Sequence, residues 1–289
     1  MTSLIWLASY PKSGSTWVRM ILANLGRRDA PADINVPVAN FRISSARDRF
    51  DDATLLCSGL LTHDEVDRLR PGVFRSSASG PEAAGAQFAK VHDGYRYMAG
   101  EPLLGGRQVA AAAIVIVRDP RDVAVSFAHH LGCSPDAAIA AMADAHFALC
   151  DTVGGQAAQL RQRLGSWSAH VSSWLDQRDI PFALLRYEDL LADPVAAFEA
   201  AMTASGQIVT RADIEQAVGF AGLDELRRQE REHGFYEASP TANAVFFREG
   251  RSGGWRRLLS DAQIQRIEQD HGATMTLLGY KVGMEKAGG

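Results

Sequence analysis

The chain has 289 residues, of which 46% are hydrophobic and 22% are charged, and its formal net charge is −4 at pH 7. This length and composition are those of a globular protein with a sizeable core, and they exclude a disordered or fibrous chain. The slight acidity argues against a broad nucleic-acid surface, although a local basic cluster can still bind a small anion. The three cysteines, Cys57, Cys133 and Cys150, lack metal-like spacing and fit free thiols in a reducing compartment.

The first residues lack a basic signal-peptide region, and their apolar stretch is far too short to span a membrane. We therefore expect a cytoplasmic protein with no membrane partner. Because no internal repeat, low-complexity tract or linker is evident, we expect a single domain over residues 1–289.

The first motif lies between a predicted strand and a predicted helix. Residues 4–8 form a short apolar run typical of a buried parallel strand, and the polar segment SYPKSGSTW follows at residues 9–17. Apolar residues then recur at helical spacing, namely Trp17, Val18, Ile21, Leu22 and Leu25. Strand, small-residue turn and helix is the expected order.

This turn has the features of an anion-binding loop. We expect free N–H groups of residues 13–16 at the positive end of the helix, with Lys12 adding a full charge. The loop is not a Walker A motif, because Lys12 precedes the only glycine, Gly14. From this stretch alone, an ordinary helix N-cap remains the alternative.

A second polar strand end follows an irregular segment over residues 26–86, which we interpret as a cover over a site. Residues 87–93 read as a short strand ending in Lys90, His92 and Asp93. Functional residues gather at the carboxyl ends of parallel strands, so His92 stands where chemistry is expected. A histidine hydrogen-bonded for structural reasons is the alternative.

The clearest strand covers residues 110–117 and runs directly into Arg118. Asp119 followed by Pro120 predicts the N-cap and first turn of a helix. Ser126 lies nearly two turns further on, where its hydroxyl can face the same crevice as Arg118. A buried Arg118 paired with a carboxylate is the alternative.

Helical patterns are predicted over residues 135–150, 165–177, 207–232 and 260–279, with a further helix opening at Asp193-Pro194. We expect Trp167, Trp174 and His170 to be core residues. A third strand over residues 181–185 leads into Tyr187, whose ring could contact a flat base.

The late segment, residues 233–254, is rich in glycine and basic residues. It suits a lid that closes over a bound anion, with Arg248 and Arg251 as phosphate contacts, although a plain surface loop is the alternative. Residues 30–86 and 233–247 are expected to shape a second pocket, with four aromatic residues as candidate lining: Phe41, Phe50, Phe235 and Tyr236.

Taken together and in this order, SYPKSGSTW, KVH, IVRDPRDVAVS, RYEDL-x-x-DP and FFREGRSGGWRR resemble the sulfotransferases that use 3′-phosphoadenosine 5′-phosphosulfate (PAPS). The resemblance covers most of the chain outside residues 26–86. It implies an α/β fold like that of the nucleotide kinases, with a central parallel sheet flanked by helices and a non-Walker phosphate loop.

The resemblance also implies roles for individual residues. Lys12 matches the lysine that stabilises the leaving phosphate, and His92 matches the general base. Arg118 and Ser126 match the pair that holds the 3′-phosphate, Ser126 being counted with the catalytic residues. The remaining matches hold the nucleotide: Ser13, Gly14, Ser15 and Thr16 around the 5′-phosphate, Trp17 and Tyr187 at adenine, and Arg248, Glu249 and Gly250 in the closing loop.

The expected reaction moves the sulfuryl group from PAPS to a hydroxyl of a small-molecule alcohol or phenol, and no metal is required. No nucleic-acid partner is expected, and a homodimer is kept open. Three departures affect nucleotide binding more than transfer: Glu249 replaces a second basic residue, Gly254 a usual aspartate, and Leu223 a frequent aromatic. The alternatives are a nucleoside or small-molecule kinase and a non-catalytic bisphosphate sensor.

Overall fold

The computed structural model describes residues 4–35, 43–78, 86–152, 158–238, 245–248 and 250–283. Within these ranges the strands are β1 Leu4–Ser9, β2 Gln87–Val91, β3 Tyr97–Met98, β4 Glu101–Pro102, β5 Ala110–Val117, β6 Ala148–Leu149, β7 Gln162–Arg163 and β8 Phe182–Arg186.

The helices of the first half are α1 Ser15–Asn24, α2 Arg47–Thr54, α3 His63–Ala78, α4 Pro120–Leu131 and α5 Pro135–Ala143, with short 3₁₀ turns at Ser58–Leu60 and Gly106–Gln108. Those of the second half are α6 Trp167–Asp176, α7 Tyr187–Ala192, α8 Pro194–Ala204, α9 Arg211–Phe220, α10 Leu223–His233, α11 Trp255–Leu258 and α12 Asp261–Leu277.

The centre of the fold is a four-stranded parallel sheet in the order β2-β1-β5-β8. Alternate residues of β1 enter two different cores, because successive side chains of a strand point to opposite faces. Trp6 packs with Trp167 and Trp174 on one face, and Ile5 packs with Ile21 and Phe198 on the other. Both faces are therefore buried, which explains the continuous apolar runs of β1 and β5.

The carboxyl ends of the four central strands lie along one edge of the sheet. The loop before α1 follows β1, while His92, Arg118 and Tyr187 come directly after β2, β5 and β8. At the start of α4, Asp119 accepts a hydrogen bond from the Arg121 N–H, as the Asp-Pro signal predicts. The topology thus gathers the polar residues that the sequence placed at strand ends.

The segment predicted as a cover lies beside β2. The Ser44 N–H donates to the Lys90 carbonyl at 2.8 Å, and the Leu160 N–H donates to Ser45 at 2.8 Å. A buried ion cluster joins α3, which belongs to this cover, to the end of β2. The Arg70 guanidinium lies 2.7 Å from Asp93 and 3.5 Å from Asp67. The cover is therefore fixed to the strand that carries His92.

The predicted fold class is confirmed, and the predicted strand at residues 110–117 and the helix starts at Asp119-Pro120 and Asp193-Pro194 are found in place. Two predicted helices were wrong in extent. The helix from Pro135 ends at Ala143, after which β6 pairs with β7. The helical region of residues 207–232 is two helices, α9 and α10, separated near Gly222. Among the described residues, no helix has the length and apolar character needed to cross a membrane.

Replacing Arg70 by methionine should lower the free energy of unfolding by about 3–5 kcal/mol, because it leaves the buried Asp93 carboxylate without its cation. Urea denaturation measures this change. The matched control is Arg28→Met, whose ion pair with Asp213 is exposed on its Arg28 side and should be worth at most about 1 kcal/mol. Equal losses in the two variants would contradict the prediction.

Candidate active site

The turn after β1 presents unsatisfied backbone N–H groups at the start of α1. Gly14 is the N-cap in a left-handed conformation with φ 104°, and no side chain caps the helix. The first amides of a helix have no intrahelical acceptor, so those of Ser15 and Thr16 are available to an anion at the positive end of the helix. The N–H of Ser13 was expected to be free as well, but it donates to the Tyr10 carbonyl at 3.3 Å.

Gly14 allows the loop to pack directly against an aromatic ring from another strand end. A Cβ atom at this position would lie 2.5 Å from Cδ2 of Tyr187, closer than any real contact. The Tyr187 ring also contacts Trp17 edge-on, with 6.1 Å between ring centroids. The Trp17 indole N–H donates at 3.0 Å to the carbonyl of Ala221, which lies between α9 and α10. This hydrogen bond fixes the orientation of the indole ring.

Lys12 is held in an environment that disfavours its charge. Its ammonium lies 4.1 Å from the ring centroid of Phe246. Burial, followed by the nearby Lys90 and Arg248 charges, lowers the pKa of Lys12 to about 7. A phosphate bound at the loop would supply the missing countercharge and raise this pKa again.

Arg118 is anchored between the phosphate loop and the late segment. Its guanidinium donates to the Lys12 carbonyl at 3.3 Å and to the Arg251 carbonyl at 3.0 Å. It also lies 4.4 Å from the ring centroid of Tyr187. These contacts fix the cation in place, and Ser126 lines the same cavity from α4.

The late segment is tied to α4 through Asp122. The Asp122 carboxylate accepts from the Gly253 N–H at 2.7 Å and from the Trp255 N–H at 3.1 Å. Gly250 has φ 57°, and a Cβ atom there would lie 2.7 Å from Leu223. Leu223 therefore packs against the backbone of this loop.

His92 is buried and has a defined tautomer. Its Nδ1 lies 2.7 Å from the Ser9 carbonyl, which can only accept, so Nδ1 carries the proton and Nε2 keeps its lone pair. Burial, followed by the Lys90 charge, holds the pKa of His92 well below its usual range. The His170 ring donates to the His92 carbonyl at 3.1 Å, so His170 is a core residue that supports the strand end.

Sequence reasoning missed an ion cluster beside His92. The Glu237 carboxylate lies 2.6 Å from the Arg19 guanidinium and 3.5 Å from the Lys90 ammonium. Burial alone would raise the pKa of Glu237, but Lys90 and Arg19 outweigh it and lower the pKa to about 2. The sequence already placed Lys90 at this strand end, two residues before His92, but it did not indicate the partners of Lys90.

The predicted site residues meet in one cavity of about 1210 Å³. Its lining includes Lys12, Gly14, Ser15, Thr16, Trp17, His92, Arg118, Ser126, Tyr187, Arg248 and Gly250. Ser13 is not part of the lining and is completely buried. Glu249 lies outside the described residues.

The four aromatic candidates for the second pocket have different outcomes. Tyr236 lines the cavity. Phe50 is a packing residue instead, in a separate small core formed by the cover segment and Leu160. Phe235 was also misplaced: it is buried against Phe246 and Phe247. Phe41 lies outside the described residues.

The fold and the cavity define an α/β protein with an anion-binding loop after its first strand and a buried histidine after the neighbouring strand. A family model for the sulfotransferase domain matches residues 107–279. The chain belongs to the sulfotransferase family, as the sequence motifs predict.

Individual relatives agree with this assignment. Flavonol 3-sulfotransferase of Flaveria bidentis is 24% identical over 277 residues, covering 92% of this chain and 79% of the relative. Luciferin sulfotransferase of Photinus pyralis is 28% identical over 127 residues, covering 44% of this chain and 32% of the relative.

Solved structures show the same fold. A mouse sulfotransferase complexed with PAP matches with a TM-score of 0.58 at 18% identity, covering 95% of this chain and 84% of its own. A retinol dehydratase in complex with androsterone and PAP matches with a TM-score of 0.59 at 17% identity, covering 98% and 83%. With the family established, the reaction class is PAPS-dependent sulfuryl transfer, and the kinase alternative is not favoured.

Replacing Gly14 by alanine should weaken binding of adenosine 3′,5′-bisphosphate by at least about tenfold, because the new Cβ atom displaces Tyr187 from the loop. Isothermal calorimetry measures the affinity. The control is Gly26→Ala, which is also in the left-handed region at φ 76° but has no atom within 4 Å of the added Cβ. The same backbone strain without the clash should leave the affinity unchanged. An unchanged affinity in Gly14→Ala would contradict the binding of the bisphosphate at this loop.

Proposed function

We propose that the cavity holds PAPS against β8, β5 and β1 and the acceptor hydroxyl against β2, so that His92 and Lys12 act on opposite sides of the transferred group. The observation that carries the proposal is the strand order β2-β1-β5-β8. Along this order, His92, the Lys12 loop, Arg118 and Tyr187 line one cavity, which supports the proposal.

The residues present fit such a nucleotide. The start of α1 offers backbone donors without a side-chain cap. The Arg118 guanidinium contributes a fixed cation, and its buried Nε has no hydrogen-bond partner among the described residues. Gly14 and Gly250 keep the backbone close to the cavity where any larger residue would clash. We assign the 5′-phosphate to the loop and the 3′-phosphate to Arg118, Ser126 and Arg248.

The chemical roles follow from protonation states. PAPS supplies the sulfuryl group as a donor with a phosphate leaving group. The free Nε2 of His92 takes the proton from the acceptor hydroxyl, while the Nδ1 hydrogen bond to Ser9 keeps the ring oriented. The Lys12 ammonium and the amides of α1 stabilise the negative charge that develops on the leaving oxygen. General-base and electrostatic effects of this kind are each worth about 10²-fold or more.

The acceptor in this proposal is a small-molecule alcohol or phenol. The names of two relatives point to acceptors of that kind, a flavonol and luciferin. The late segment acts as a lid, since Phe246 contacts Lys12 and the Arg251 carbonyl accepts from Arg118. Other expectations remain predictions from the sequence. They are a single domain, a cytoplasmic location, the lack of membrane and nucleic-acid partners, and a homodimer.

Binding of adenosine 3′,5′-bisphosphate at pH 8 should take up close to one proton. The pKa of Lys12 is about 7 in the free protein, so Lys12 is mostly neutral at pH 8 and becomes charged beside the bound phosphate. Calorimetry in buffers of different ionisation enthalpy measures the uptake, and at this pH the phosphates are already ionised. Lys12→Met should abolish most of it, whereas Lys281→Met, outside the cavity, should not. Proton release at pH 8 would contradict this reasoning.

Replacing His92 by glutamine should lower kcat by about 10²- to 10⁴-fold and leave bisphosphate affinity nearly unchanged. His233→Gln is the control, since His233 is exposed at the end of α10. The lowered pKa of His92 keeps it neutral, so kcat of the unaltered protein should not fall through the pH range in which a histidine ordinarily gains its proton. Turnover with labelled PAPS and a phenol measures kcat and its dependence on pH. Equal kcat values in the two variants would contradict the role of His92 as the general base.

A further inference from the structure

The ends of β5 and β8 carry two of the residues assigned to the nucleotide, and the pairing of these strands stops just before both of them. The last paired residues are Val117 and Arg186. Arg118 and Tyr187 follow them directly in sequence, and the Arg118 guanidinium lies 4.4 Å from the centroid of the Tyr187 ring. This contact attracts a cation to a ring face, but it does not fix the two backbones. Beyond the last pair, the separation of the two segments depends on other contacts.

Glu188 links the two segments at this point. Oε1 of its carboxylate accepts from the Asp119 N–H at 3.0 Å, and Asp119 directly follows Arg118 in the chain. Oε2 accepts from the Tyr280 hydroxyl at 2.8 Å. Asp119 and Tyr280 are each only 6% exposed, so water does not readily replace either partner. Glu188 thus joins the end of β8 to the end of β5 and to the segment that follows α12.

The two hydrogen bonds of Glu188 are costly to lose. Burial raises the pKa of Glu188, whereas its bonds to the Asp119 N–H and the Tyr280 hydroxyl act in the opposite direction. The carboxylate therefore depends on these donors to replace the water that burial removes. The Asp119 N–H depends on Glu188 in turn, because a buried backbone donor without an acceptor is destabilising. The Arg186 guanidinium lies 4.7 Å from the centroid of the Tyr280 ring, which holds that ring in place.

Three elements of the nucleotide site adjoin this link. Tyr187, the residue before Glu188, packs against Gly14 of the phosphate loop, where a Cβ atom would lie 2.5 Å from its ring. Asp119 is the N-cap of α4, so its backbone also sets the start of the helix that carries Ser126. Glu188 itself does not line the cavity. Any effect of Glu188 on the nucleotide therefore passes through these neighbours.

We propose that Glu188 is a positioning residue for nucleotide binding, holding Arg118 and Tyr187 at the separation at which both contact the nucleotide. Tyr280 supports Glu188 from the last part of the chain. This inference rests on the proposed function, because it takes the bisphosphate to lie against Arg118 and Tyr187. Without the link, the two strand ends separate in part of the molecules, and only the remaining fraction binds the bisphosphate with full affinity.

The test compares two replacements of Glu188 that have nearly the same size. Glu188→Gln keeps an oxygen for the Asp119 N–H and an amide that donates to the Tyr280 oxygen, so bisphosphate affinity should stay within about threefold. Glu188→Met keeps the length of the side chain and removes both bonds, and it should weaken the affinity by about tenfold or more. Isothermal calorimetry with adenosine 3′,5′-bisphosphate measures both variants.

Steady-state kinetics separate positioning from general destabilisation. In Glu188→Met, KM for PAPS should rise about tenfold, while KM for a phenol and kcat at saturating PAPS stay within about twofold. The matched control is Gln177→Met. The buried Gln177 amide accepts from the Asp179 and Ile180 N–H groups at 2.8 and 3.0 Å, and it does not line the cavity. Its loss should lower the thermal midpoint without changing bisphosphate affinity.

Tyr280→Phe gives a second measurement, which decides the matter if Glu188→Met does not fold. It removes one hydroxyl and keeps the ring, and it should weaken bisphosphate affinity by about threefold or more. Tyr95→Phe is its control, since the buried Tyr95 hydroxyl donates to the Asp179 carboxylate at 2.7 Å and Tyr95 does not line the cavity. Tyr95→Phe should leave the affinity unchanged.

Two outcomes would overturn the inference: unchanged bisphosphate affinity in folded Glu188→Met, or equal losses in Glu188→Gln and Glu188→Met. If Glu188→Met does not fold, unchanged affinity in Tyr280→Phe overturns it as well. The failure of the proposed function has a different appearance, because the unaltered protein then binds no bisphosphate and transfers no label from PAPS to a phenol. Bisphosphate binding that is insensitive to these substitutions would remove the inference alone.

Discussion

The hydrogen-bonded pairing of β1 with β2 and β5 is the constraint on which the site depends. Parallel pairing aligns the carboxyl ends of the strands, so residues far apart in the chain meet at one edge of the sheet. Lys12, His92 and Arg118 belong to three separate segments, and each follows a different strand. No contact between their side chains is needed to bring them together, because the backbone ladder already does so.

The gathering of the strand ends also has an electrostatic consequence. Burial is the main cause that lowers the pKa of both Lys12 and Lys90. The Lys90, Arg248 and Arg118 charges lower the pKa of Lys12 further, and the Arg19 charge lowers that of Lys90. Glu237 compensates only part of this charge, since it pairs with Arg19 and Lys90 and not with Lys12. The free protein thus stores an electrostatic cost at the phosphate loop that an anionic ligand relieves.

Local signals explain what was predictable from the sequence. The strand before Arg118 and the Asp119-Pro120 helix start were found because hydrophobic runs and caps act over a few residues. The helix from Pro135 was extended too far, since the Asp144 carboxylate accepts from the His146 N–H and ends it with a turn. Glu237 was not predictable as a site residue, because its partners, Arg19 and Lys90, come from distant segments of the chain.

Helix α4 contributes two polar side chains to the wall of the cavity. Ser126 and His130 line it and lie four residues apart, so they share one face of the helix with a separation of about 6 Å along its axis. Their spacing is therefore set by the pitch of a hydrogen-bonded helix rather than by a loop. A rigid element of this kind holds the two side chains at a constant separation whatever enters the cavity.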